Sequence, residues 1–131
     1  MQISPITVLD ISKVKQVLLD NSHLNDSKEI LLSLINSVRH SNSLCLKITN
    51  TKGKILGIWV STSTKEYTLL TYLYIDPSIR YTKLFAKFYL YCLNNIPQYL
   101  PLLVNTLYTN NFITNKFKLL EDNVYYLKKR K

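Results

Sequence analysis

The sequence predicts an α/β chain built on one mixed, mostly antiparallel sheet with helices on both faces. Three observations lead there. Apolar residues recur at helical spacing before residue 40, at a period of two from Leu44 to Ile75, and at helical spacing again after it. The turn Asn50-Thr51-Lys52-Gly53 and the polar step Thr62-Ser63-Thr64-Lys65 divide the middle stretch into three successive strands, a meander. A helix-strand-helix-strand succession follows, which adds a crossover and therefore a parallel neighbour.

Taken in order, residues 3–9 read as a short β-branched strand. Asp10 and Ser12 then supply turn and N-cap chemistry for a helix over 13–21, where Val14, Val17 and Leu18 share a face. Asp26-Ser27-Lys28-Glu29 has the form of a capping box and opens a second helix. Ile30, Leu31, Leu34, Ile35 and Val38 recur along it, and it ends near His40, which suits the negative end of the helix dipole. Leu44, Leu46 and Ile48 alternate with Cys45, Lys47 and Thr49, and a hairpin leads into a strand over 55–63 that carries Trp59 as a core or interface residue. In the third run Tyr67, Leu69, Thr71, Leu73 and Ile75 fall on one face and Thr68, Leu70, Tyr72 and Tyr74 on the other. Both faces are apolar or aromatic, which places this strand centrally and covered on both sides.

Asp76-Pro77-Ser78 stops that strand, with Asp76 as a turn-former or helix cap. A helix follows with Leu84, Phe88, Tyr91 and Cys92 on one stripe, ending before Asn94. Residues 102–108 have strand length and apolar character. A helix is expected over 110–119 with Phe112, Ile113, Phe117 and Leu120 as its apolar side, and a last strand over 124–127. The predicted order is β α α β β β α β α β.

Length and composition narrow the function classes. At 131 residues, 47% apolar and 19% charged, the chain is expected to form a single domain over 1–131 and does not fit the disordered class. It has no apolar run of membrane-spanning length, and Met1-Gln2-Ile3-Ser4-Pro5 lacks the features of a signal peptide, so an intracellular location is expected. Cys45 and Cys92 sit in apolar surroundings and read as buried free thiols, and His23 and His40 have no metal-ligand spacing, so no metal site is expected. Ala, Gly, Arg and Pro total 10 residues while Phe, Tyr, Met, Ile, Asn and Lys total 53, the mark of an AT-rich coding sequence. That bias points to a phage or other virus, or to a low-GC bacterium or parasite.

The net charge of +9 favours anionic partners: an acidic protein surface, nucleic acid or anionic lipid. Its one cluster is Lys128-Lys129-Arg130-Lys131, a candidate contact for nucleic acid or an acidic partner. Ten tyrosines, among them Tyr72, Tyr74, Tyr81, Tyr89, Tyr91, Tyr125 and Tyr126, would suit a stacking platform for single-stranded nucleic acid, although strand and helix tyrosines also serve simply as packing residues.

Leu73-Tyr74-Ile75-Asp76-Pro77-Ser78-Ile79-Arg80 resembles the fourth strand of the GNAT N-acetyltransferase family and its exit into the acyl-CoA-binding turn. Residues 110–120 resemble that family's last helix, and Tyr125-Tyr126-Leu127-Lys128 its closing strand. The likeness in layout covers essentially the whole chain. It implies that Leu73, Ile75, Arg80 and Lys83 would line a cofactor site for acetyl-CoA. In the family a turn of the form Arg or Gln, two spacers, Gly, spacer, Gly or Ala presents backbone N–H groups to the pyrophosphate. Here it reads Arg80-Tyr81-Thr82-Lys83-Leu84-Phe85, with Lys83 and Phe85 in the glycine positions. The family's general acid, a Tyr on the last helix, aligns with Phe117, which has no proton to give, and Tyr108 is the substitute. Glu66 and Asp76, at the two ends of the fourth strand, are the carboxylates available as a base, and the closing hairpin looks shortened. These departures favour a retained scaffold without catalysis and without cofactor. Such a scaffold would act as an interaction or structural module that self-associates or binds an acidic partner, for example as a viral accessory or virion component. The alternatives are a divergent acetyl-CoA-dependent N-acetyltransferase and a basic nucleic-acid-binding protein.

Overall fold

A computed structural model describes residues 1–21, 24–38, 40–80, 82–105, 117–121 and 124–127. Strands β1 (Gln2–Pro5), β2 (Ser43–Thr49), β3 (Ile55–Ser63), β4 (Thr68–Ile75), β5 (Leu102–Asn105), β6 (Phe117–Glu121) and β7 (Val124–Leu127) form one seven-stranded sheet in the order β1-β2-β3-β4-β5-β7-β6. Neighbours are antiparallel except β4 and β5, which run parallel. Helices α1 (Ile11–Asn21) and α2 (Leu24–Val38) cover one face, and α3 (Lys83–Asn94) covers the other. The mixed α/β sheet with a central meander is thus as the sequence predicts.

The two faces bury separate cores. On one, Val14 and Leu18 of α1 and Ile30 and Leu34 of α2 pack against Cys45, Ile58, Val60 and Tyr72. On the other, Phe88, Cys92 and Leu93 of α3 pack against Leu46, Ile48, Trp59, Leu70 and Val104. Burial of these side chains contributes about 25 cal/mol per Å² of apolar surface removed from water. Trp59 is 0% exposed and its indole N–H donates to Ser61 Oγ at 2.9 Å, so the largest core side chain leaves no polar atom unsatisfied. Cys45 and Cys92 are buried free thiols, one in each core.

Local chemistry fixes the connections. In the β2–β3 turn the Asn50 side chain accepts the N–H groups of Lys52 and Lys54, and Gly53 takes a φ of 81°, a left-handed conformation that glycine adopts without a Cβ clash. Gly57 serves a different end. A Cβ there would lie 3.0 Å from Ile48 Cγ2, 3.1 Å from Phe88 Cε2 and 3.3 Å from Tyr74 O, so the missing side chain is what lets the Phe88 ring rest on the sheet.

Several sequence expectations are corrected. The first strand stops at Pro5, because Thr7 and Asp10 form a capping box around a 3-10 turn at Val8–Asp10, and Asp10 then pairs with Lys47 of β2. Helix α2 begins at Leu24, before the capping sequence at 26–29. Tyr91, placed on the apolar stripe of α3, is exposed, and Leu93 is buried in its stead. The other end of α2, at Val38, is near His40 as expected, and the His40 backbone N–H donates to Ser37 O at 3.1 Å. Phe117–Glu121 is a strand where the end of a helix was expected, and it forms with Val124–Leu127 a complete antiparallel hairpin. A closing pair of antiparallel strands is therefore present. Residues 110–116 lie outside the described residues.

Gly57→Ala should destabilise the fold by about 1–3 kcal/mol, the usual cost of overpacking a filled core. Chemical denaturation of Gly57→Ala, Phe88→Leu and the double variant checks this. The expected result is that the smaller ring recovers part of the loss, giving non-additive energies for the pair.

Candidate functional site

Strand β4 pairs with β3 along its whole length but with β5 only over Thr68–Leu70 against Leu102–Val104. The reason lies in the β3–β4 register. Val60 pairs with Tyr72 and Ser61 with Leu70, so Thr71 is an extra residue, a β-bulge. A bulge bends its strand and increases the local twist. Thr71 Oγ1 donates to Val60 O at 3.0 Å, which satisfies the hydroxyl and holds the irregularity in place. Beyond the bulge β4 leaves β5, and residues 71–75 have no partner strand on that side among the described residues.

The bulge also decides what faces the opening. Asp76 N–H donates to Leu56 O, towards β3, at 2.8 Å. Backbone groups alternate along a strand, so those of Tyr72 and Tyr74 point to β3, while those of Leu73 and Ile75 point to the open edge. Arg80 agrees with this sense, since its Nε donates to Ile75 O at 3.0 Å. Side chains change sides at the bulge as well. Leu70 packs with Leu73 and Ile75 in the core under α3, whereas Tyr72 and Tyr74 pack under α1 and α2. The sequence pattern had put Leu70 on the face of the two tyrosines.

The open edge ends at the N-terminus of α3. Between them, Asp76 caps a 3-10 turn at Pro77–Ile79, accepting the N–H and Oγ–H of Ser78 at 2.9 and 2.7 Å. Ile79 anchors the turn in the core, and Thr82 caps α3 by accepting the N–H of Phe85 at 3.4 Å. The N–H groups of Lys83 and Leu84 have no acceptor among the described residues, as the geometry of a helix start dictates. Arg80 and Lys83 are both exposed beside it. Phe85 does not stand over this helix start. Its ring stacks on Tyr89 with centroids 6.2 Å apart, and Tyr89 in turn meets Trp59 at 6.5 Å.

Asp76 is 8% exposed and has further donors in Tyr74 OH at 3.1 Å and Lys54 Nζ at 3.6 Å. Burial pushes its carboxyl up, but the Ser78 and Tyr74 hydrogen bonds and the Lys54 ammonium outweigh burial and hold it below the usual carboxylate value. A carboxylate so saturated is a poor proton acceptor, which makes it a cap and not a general base. Glu66 is exposed in the turn before β4, at the other end of the strand from Arg80. Tyr72 is buried and its hydroxyl is pushed up by burial, so it is not available as a stacking platform. Tyr74 and Tyr89 are half-buried. Tyr108 and the basic run 128–131 lie outside the described residues, as do Tyr81 and the side chains of Tyr125 and Tyr126. Phe117 lies on β6, so its equivalence to a tyrosine on the last helix is withdrawn, and with it that argument for a lost acid. Among the described residues no three His, Cys, Asp or Glu side chains gather to hold a metal, and no helix is long and apolar enough to cross a membrane.

No family model and no curated protein matches the sequence. Solved structures do match in three dimensions. A GNAT-family acetyltransferase from Staphylococcus aureus superposes with a TM-score of 0.66 at 16% identity, covering 96% of this chain and 97% of that one. The PaiA N-acetyltransferase from Thermoplasma acidophilum, solved with coenzyme A, gives 0.67 at 14%, covering 95% of each chain. The chain has the GNAT fold. The ribosomal-protein-S18-alanine N-acetyltransferase from Escherichia coli agrees, with 0.64 at 11% over 99% of this chain and 94% of that one. At these identities the likeness is one of fold, and activity must be argued from the site of this GNAT-fold chain itself.

The depressed Asp76 carboxyl carries a pH dependence. A group whose pKa is lower folded than unfolded stabilises the fold above its unfolded value, about 3.9, and that contribution disappears as pH falls through the folded value. Wild-type stability should therefore drop as pH falls below about 5. Asp76→Asn should drop less over the same window, with Asp10, also held low against burial by Lys47 and Thr7, accounting for part of what remains. Denaturation midpoints across that range measure both.

Proposed function

We propose that this chain binds acyl-CoA, acetyl-CoA in the simplest case, in the opening between β4 and β5 and transfers the acyl group to an amine. The observation that carries this reading is the bulge at Thr71, which leaves the main-chain groups of Leu73 and the N–H of Ile75 without a partner strand, while Ile75 O accepts from Arg80 and so ties the edge to the start of α3. Coenzyme A has the matching chemistry along its length. Its pantetheine arm carries two amides that can pair with a free strand edge as an added strand would. Its pyrophosphate suits unpaired helix N–H groups flanked by cations, here Lys83, Leu84 and Arg80.

The residues at the helix start suit the phosphate end of the group. Phe85 is turned onto Tyr89, so its bulk does not block the helix start, and Lys83 supplies charge where the family has glycine. With the pyrophosphate at α3, the thioester lies towards Thr71, where β4 and β5 diverge and an acceptor amine has access. When bound, the cofactor supplies an activated acyl carbonyl. The chain's own contribution is to hold the arm extended along Leu73 and Ile75 and to fix its phosphate end. Tyr108 remains the acid proposed for the leaving thiolate, and Glu66 the exposed carboxylate proposed for the amine.

A second reading is favoured by Lys83 and Phe85 themselves, because side chains at those positions restrict close approach of a phosphate to the backbone. On that reading the fold is a non-catalytic module whose excess positive charge contacts an acidic protein or nucleic acid.

Calorimetric titration with acetyl-CoA separates the two. The first reading expects micromolar binding that weakens about tenfold in Lys83→Glu, a charge reversal at an exposed helix start that leaves the fold intact. It also expects release of CoA thiol when an amine collection is added. Absence of heat up to about millimolar ligand removes the first reading. Tight binding with no turnover on any amine keeps the cofactor site and removes the transfer step, whereas absence of heat together with salt-dependent binding to a polyanion favours the second.

A further inference from the structure

Asp76 is the most heavily coordinated side chain near the open edge, and its position gives it a second consequence. A run of hydrogen bonds passes through it from the sheet to α3. Leu56 O accepts from Asp76 N–H at 2.8 Å, Asp76 O accepts from Ile79 N–H at 3.0 Å, and Ile79 O accepts from Thr82 N–H at 3.2 Å and from Thr82 Oγ1. Thr82 then caps α3. The side chain braces the same turn from the other direction through Ser78, while Tyr74 holds the carboxylate against the α1/α2 side of the sheet. Lys54, at the end of the β2–β3 turn, faces the carboxylate from the neighbouring strand. Its ammonium, 3.6 Å from the carboxylate, helps to keep it charged and in place over the turn.

We infer that Asp76, with Lys54, is a positioning pair that sets Arg80 and the start of α3 for the phosphate end of the ligand, and so confers a preference for CoA thioesters over thioesters lacking the phosphates. The inference rests on the function proposed above. Asp76 does not touch the acyl group in this arrangement. It acts through Ser78, Ile79 and Thr82, so its loss changes recognition of the phosphates and not of the pantetheine arm.

The test compares wild type, Asp76→Ala and Asp76→Asn for binding of acetyl-CoA and of S-acetylpantetheine, which has the same arm and thioester without the nucleotide. Amide hydrogen exchange of Ser78, Thr82 and Phe85 is followed in the absence of ligand. The expected result is that Asp76→Ala weakens acetyl-CoA about tenfold, leaves S-acetylpantetheine within about twofold, and speeds exchange at those amides relative to the β3 amides. Asn keeps the acceptor for Ser78 but loses the pair with Lys54, so Asp76→Asn should fall between. It carries the test alone if the alanine variant does not fold. Unchanged acetyl-CoA affinity in the variants overturns the positioning role and leaves the proposed function standing. Equal weakening of both ligands also overturns it, since a general loss of structure would do the same. A wild type that binds neither ligand overturns the proposed function, and this role with it.

Discussion

One unpaired residue, Thr71, sets the geometry on which the rest of this molecule depends. A seven-stranded sheet with full pairing along every strand would present no backbone group at its centre. The bulge breaks that continuity at the middle of β4, bends the strand away from β5, and reverses the side-chain sense so that Leu73 and Ile75 face α3 and not the tyrosine side. The irregularity is stabilised locally by the Thr71 hydroxyl on Val60 O and globally by two cores that grip β4 from both faces. Such a defect persists only where the surroundings determine it, and here Leu70 and Tyr72, the residues on either side, are both buried.

The second determinant is the short connection that follows. Among the described residues of this connection, 76–80 and 82, the one regular element is a 3-10 turn, and the hydrogen bonds of Asp76, Ile79 and Thr82 run from Leu56 to the cap of α3. Ile79 sinks into the core in the middle of it, which fixes the turn by packing as well as by hydrogen bonding. A free strand edge and a helix start are each common features of proteins. Holding the two together is what makes them a candidate site, and the hydrogen bonds of Asp76 and Thr82 link them.

Most of the fold was legible in the sequence because amphipathic period reports which face is buried. The helix at 13–21, the one opened by the capping sequence at 26–29, the one between Asp76-Pro77-Ser78 and Asn94, the Asn50–Gly53 turn and the meander follow from spacing and turn chemistry. The bulge was not legible. A strand buried on both faces has apolar residues at every position, so a one-residue slip in register leaves no trace in the pattern, and Thr is an ordinary strand residue. The strand at 117–121 was misread because Phe112, Ile113, Phe117 and Leu120 satisfy helical spacing, while a two-residue apolar period shows only as Phe117 and Leu119 on either side of Lys118, too short a run to decide. At the N-terminus, β-branched propensity outweighed the Thr7 and Asp10 capping pair, which is what stops β1. Of the site, Arg80, Leu73 and Ile75 were singled out by resemblance, and the structure places all three at the open edge. The exposure of Lys83 and the turning of Phe85 onto Tyr89 needed coordinates, because sequence alone does not say which way a helix-start residue points.

The central claim is that the edge of β4 beyond Thr71 is a ligand surface. Amide hydrogen exchange resolved to single residues, with and without acetyl-CoA, tests it most directly. The account predicts that the ligand slows exchange at Leu73, Ile75, Lys83 and Leu84, and leaves Tyr72 and Tyr74, whose amides already pair with β3, unchanged. Protection absent from Leu73 and Ile75 at saturating acetyl-CoA would contradict it.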